Sequence, residues 1–184
     1  RMVMIRTYSY RQIIFSKFII VISFIFLYLL AYFIICYGIG FITFSTPDTY
    51  PQFYTQDRVT FVEGFLYNLK FYGLAFLTLV TISSILFFIA ILSHTTTTTL
   101  GIGIGFLFFS FAYPNVIPLF EQLFKNDTLL KIYFTSLPMI QWQGLTIMLA
   151  QTTDWFFWIF LVLSSYTLLF LSLLFYLTGR KNDT

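Results

Sequence analysis

Fifty consecutive residues, Phe71 to Phe120, contain no Asp, Glu, Lys or Arg. A water-soluble domain must break such a run with charged positions that face solvent, so the run places the chain in a bilayer. One membrane-crossing helix takes about 20 residues. The run is therefore long enough for two crossings and a connection, which Ser93, His94 and the five threonines Thr95 to Thr99 supply. It reads as a helical hairpin.

Composition agrees with a lipid solvent: 59% of the 184 residues are hydrophobic, 23% aromatic and only 9% charged, against about 25% charged in ordinary soluble domains. The 26 phenylalanines fill space among acyl chains and helices without asking for hydrogen-bond partners. A net charge of +3 with no basic block gives no reason to expect a nucleic-acid partner. The single cysteine, Cys36, lies inside an apolar run, which rules out an intrachain disulfide and a paired-cysteine metal site; it reads as a packing residue. The first apolar run is far longer than a signal-peptide core and no small-residue cleavage site follows it, so it stays as a span.

The expected fold is all-α, a polytopic membrane helix bundle of four spanning helices plus a short re-entrant or interfacial segment, forming one domain over residues 1–184. The spans are placed at 18–44, 71–92, 100–120 and 155–177, after a cytoplasmic segment 1–17. Between the first two, Pro47, Asp48, Pro51, Asp57, Arg58 and Glu63 make a polar connection whose latter part, Val59 to Tyr67, suits a short interfacial helix. Pro114 and Pro118 loosen the outer end of the third span, since proline removes a backbone donor and disfavours helix at the residue before it. The stretch 121–154 is read as an external re-entrant region. Its uncharged part contains Pro138, Gln141, Gln143, Gly144 and Gln151, which raise the cost of a full crossing.

Charge decides between four spans and five. With four, Arg1, Arg6, Arg11, Lys17, Arg180 and Lys181 share one side, while Asp48, Asp57, Glu63, Glu121, Asp127 and Asp154 lie opposite with four basic residues. The positive-inside rule then puts both ends of the chain in the cytoplasm.

The chemistry the spans can support is narrow. No ionisable residue falls within a span, which argues against ion-coupled transport, and no nucleophile, base and metal groups converge, so no internal polar site and no enzymatic activity are expected. His94 reads as a solvated turn residue. The segment Gly101 to Gly105 lacks the lysine and hydroxyl of a phosphate loop; Gly101 and Gly105 instead fit the small-xxx-small spacing that lets membrane helices approach closely.

The stretch Arg6-Thr7-Tyr8-Ser9-Tyr10-Arg11-Gln12-Ile13-Ile14-Phe15-Ser16-Lys17 resembles the cytoplasmic loop of ABC-2 type transporter permeases, in which an arginine shortly before a lysine leads into the third membrane helix. The resemblance continues through the paired spans, the small polar turn, the glycine-bearing span, the proline-containing outer segment at Pro114, and the last helix ending in Arg180 and Lys181. Members of this family usually have six spans, so the chain looks like the part that follows the first two. The resemblance implies a transmembrane subunit of an exporter in a bacterial cell membrane. It would handle peptide antibiotics, bacteriocins or lipid-like molecules, and it implies no cofactor in this chain. ATP and Mg would belong to a partner ATPase subunit, and a second permease, identical or not, would complete the path. Tyr8, Arg11, Gln12 and Lys17 would be the positions that couple to the ATPase. The alternative reading is a non-transporting membrane scaffold or assembly partner.

Overall fold

The computed structural model of the chain describes residues 9–43, 49–51, 58–93, 95–112 and 154–180. Four helices are present among them: α1 Tyr10–Thr43, α2 Phe61–Ser93, α3 Thr96–Ala112 and α4 Asp154–Arg180. Three are long and apolar enough to cross a membrane, namely α1, α2 and α4, while α3 is a shorter apolar helix. A small antiparallel pair, β1 Thr49–Pro51 and β2 Arg58–Thr60, lies within the polar connection between the first two spans. Its register sets Tyr50 opposite Val59, and β2 runs straight into α2.

The helices start earlier than the uncharged runs do, because their first turns are capped by local side chains. The amide of Ser9 donates to Gln12 Oε1 at 3.0 Å, and the amide of Gln12 donates to Ser9 Oγ at 3.4 Å. At α2 the amide and hydroxyl of Thr60 donate to Glu63 Oε2 at 2.9 and 3.0 Å, and the Glu63 amide returns a bond to Thr60 Oγ1. Both are reciprocal capping boxes that satisfy otherwise orphaned first-turn amides. Residues 10–17 are thus helical and continuous with the first span. Val59 to Tyr67 is likewise no separate interfacial helix, because from Phe61 onward it is the start of α2. Thr95 caps α3 through the Thr98 amide at 3.3 Å, so most of the threonine run, from Thr96 on, is helical.

Ring contacts fix the helix directions. On α1 and α2, Phe18 meets Phe87, Phe26 meets Phe76 and Phe33 meets Tyr72, with centroids 5.3, 6.0 and 5.1 Å apart, so the two helices are antiparallel. Between α2 and α4, Lys70 lies over Phe156 and Phe88 meets Phe170, so these two run the same way. Helix α3 returns along α2 with Gly103 against Leu86. The bundle therefore alternates up, down, up, down. The start of α1 and the end of α4 share one end, where Phe15 meets Phe175 at 5.4 Å.

Helix α2 is the hub, touching α1, α3 and α4. Its most intimate neighbour is α4: Leu74 and Ala75 close on Ile159 and Leu163, all at or below 1% exposure, with Phe71, Leu77 and Phe156 around them. The α4 positions recur every four residues, which lays one ridge of that helix along α2.

Candidate functional site

Arg11, Gln12 and Lys17, three of the residues expected to couple to a partner, lie on the first turns of α1, at the end where α4 stops. Arg11 is half-buried, and its guanidinium carbon lies 3.1 Å above the centre of the Phe175 ring. Phe15, one turn further along α1, meets the same ring edge-on. A stacked guanidinium keeps its in-plane N–H donors available while its face is desolvated. Gln12 has a local task, holding the cap of α1. Lys17 is exposed. Of this set the structure brings Arg11 alone onto another helix. Tyr8 lies outside the described residues, as do Pro114, Pro118, Pro138 and the region 121–153.

Within the chain, the glycine that meets a neighbouring helix is Gly103. It is buried, and a Cβ on it would stand 3.0 Å from Leu86 Cδ2. Gly101 and Gly105 are exposed with open space around them, so the spacing that singled them out does not form the α2–α3 contact. The reason is angular: positions 101 and 105 share one side of α3, and position 103 is about 200° round from 101. Cys36 also departs from its expected role as a packing residue. It is exposed.

The interior does hold polar groups. Thr78, Thr81 and Ser84 of α2, spaced by three, are all fully buried, and on α4 Thr167 and Thr178 are buried too. Each hydroxyl bonds within its own helix, Thr78 to Leu74 O, Thr81 to Leu77 O, Ser84 to Val80 O, Thr167 to Leu163 O and Thr178 to Leu174 O, all at 2.8 Å. One contact crosses the interface: Thr81 Oγ1 and Thr167 Oγ1 are 2.7 Å apart, with Leu163 O a further acceptor for Thr81 at 3.4 Å. Each threonine has a single hydroxyl proton. One therefore donates across the gap while the other donates to its own helix. The signal for this ladder was present as the spacing 78, 81, 84, yet hydroxyls lower hydropathy too little to mark it.

Towards the other end, Phe33, Tyr37, Phe65 and Tyr72 form an aromatic seam between α1 and α2 with centroids 4.6 to 6.0 Å apart. Asn68 closes it, its Nδ2 donating to the Tyr37 hydroxyl and to Gly64 O, both at 2.9 Å. Among the described residues no three of His, Cys, Asp and Glu come together to hold a metal ion. Comparisons of the chain with protein-family models, with curated proteins and with solved structures return no match.

Proposed function

We propose that the chain is the membrane permease subunit of an ATP-driven exporter of an amphipathic molecule. A separate subunit hydrolyses ATP, and a second permease completes the path. The observation that carries this reading is the tie between Arg11 and Phe175. A partner that moves the segment ahead of α1 acts at once on the end of α4, and α4 is bonded through Thr167 to α2, the hub.

Two further features support it. Lys17 and Lys70 bracket the apolar part of the bundle, because Lys70 lies between Phe65 and Tyr72, which meet Tyr37 and Phe33 of α1. From Lys17 to those positions is 16 to 20 residues, roughly 24 to 30 Å at 1.5 Å each, close to the thickness of a hydrocarbon core. Between those levels the described helices carry no charged side chain. The described helices thus supply no charged relay at that depth, which favours work delivered from outside the spans. The Lys17 end, with Arg11 and with Arg180 at the end of α4, is the cytoplasmic side by the positive-inside rule.

The test is purification of the full-length protein in mild detergent from its own membranes. Equimolar recovery of an ATPase whose turnover depends on this subunit is expected, and a preparation free of any ATPase contradicts the proposal. A non-transporting scaffold is the second reading, favoured by α1, whose most apolar stretch is only 6% buried and so offers a long surface to another protein.

A further inference from the structure

Tyr28, Tyr32 and Cys36 follow one another at every fourth position of α1 and so share a side of that helix. All three are exposed, Tyr28 at 69%. Tyr72 of α2 borders the same side, its ring centroid 6.4 Å from that of Tyr32, and the Cys36 thiol lies beside both hydroxyls.

The depth of Tyr28 makes this stripe unusual. It lies between Phe26, level with Phe76, and Phe33, level with Tyr72. That is two to six residues inward of Lys70 and 11 residues from Lys17, or about 3 to 9 Å and about 16 Å along the helix. Helical side chains lean towards their own N-terminus. For α1 that is the Lys17 end, so the phenol is carried deeper rather than towards the nearer surface. Among the described residues no hydrogen bond engages the Tyr28 hydroxyl.

Other exposed hydroxyls in the spans behave differently. Ser23 donates to Ile19 O at 2.9 Å, Ser165 to Val162 O at 2.7 Å and Ser172 to Leu169 O at 2.7 Å. Each is neutralised by its own helix and can face lipid. A tyrosine hydroxyl, held at the far side of its ring, cannot reach its own backbone. In hydrocarbon it would stay unsatisfied.

We propose that Tyr28, Tyr32, Cys36 and Tyr72 form one wall of a water-filled cleft that receives an amphiphilic cargo, the ring faces meeting its apolar part and the phenol hydroxyls its hydrogen-bonding groups. The assignment rests on the permease reading and names the path within it. A lipid-facing role leaves Tyr28 without a partner, and a contact with a second copy of the chain would close the stripe to water.

Cys36 is the only cysteine of the chain, so replacing it by alanine clears the background for single-cysteine variants. Tyr28→Cys and Leu30→Cys are compared in the full-length protein in native membranes, with a membrane-impermeant cationic thiosulfonate as the probe. Leu30 is the control, 42% exposed and about 200° round the helix. The cleft predicts labelling of Tyr28→Cys at least about tenfold faster than Leu30→Cys, slowed by dodecyl maltoside below its micellar concentration. Equal rates, fast labelling that the amphiphile leaves unchanged, or disulfide-linked dimers through position 28 each overturn it. If Tyr28→Cys does not insert, Tyr32→Cys is read in the same way. Fast labelling in a protein that brings no ATPase with it removes the permease reading and leaves the wet stripe. Slow labelling beside a copurified ATPase does the reverse.

Discussion

Helices α1 and α2 are nearly the same length, 34 and 33 residues, and their most apolar windows are similarly hydrophobic. Half of that window is buried in α2, against 6% in α1. Hydropathy therefore does not decide which span occupies the centre. In a bilayer, lipid tails are as apolar as leucine, so burial goes to the helix whose surface allows close approach and interhelical bonding. Helix α2 offers Ala75, Thr78, Thr81 and Ser84 on its packed side. Helix α1 instead offers aromatic edges at Phe15, Phe18, Phe26 and Phe33, which hold it beside the bundle without sinking it in.

The comparison breaks most directly at Leu163, fully buried against α2. Leu163→Ala should cost about 2 to 4 kcal/mol, measured by reversible unfolding of the detergent-solubilised protein in SDS. Ile20→Ala on the open face of α1, 53% exposed, should stay close to zero, and equal losses would erase the distinction. A smaller effect is expected at Gly103, where a leucine must displace Leu86. Gly103→Leu should lower stability by about 1 to 3 kcal/mol through overpacking, whereas Gly101→Leu and Gly105→Leu leave the monomer unchanged by the same assay. The smallest is Thr81→Val, which keeps the shape and removes the bond to Thr167. About 0.5 to 1.5 kcal/mol is the range for such bonds in membranes, and Thr81→Val with Thr167→Val together should cost less than the sum of the two.

Much of this arrangement was legible in the sequence, and the misses have physical causes. The apolar runs located α1, α2 and α4 but not where these helices begin, because charge marks where insertion stops and says nothing about where a helix starts. The Ser9-Gln12 and Thr60-Glu63 pairs carried the true starts. The strand pair before α2 gave no alternation to read, being three residues a side. The tie of Arg11 to Phe175 joins positions 164 residues apart, which no local pattern encodes. The preference for Gly101 and Gly105 over Gly103 was a question of which side of α3 meets α2, and spacing alone supplies both answers.

Energy entering at the Lys17 end through Arg11 is the claim on which the functional account turns. The decisive measurement is the ATPase rate of the purified complex in proteoliposomes with Arg11→Glu beside the unaltered protein. Loss of a stacked cation worth about 0.5 to 2 kcal/mol should slow stimulated turnover roughly two- to thirty-fold while the subunits still copurify in equal amounts. An intact complex that turns over at the unaltered rate contradicts the account.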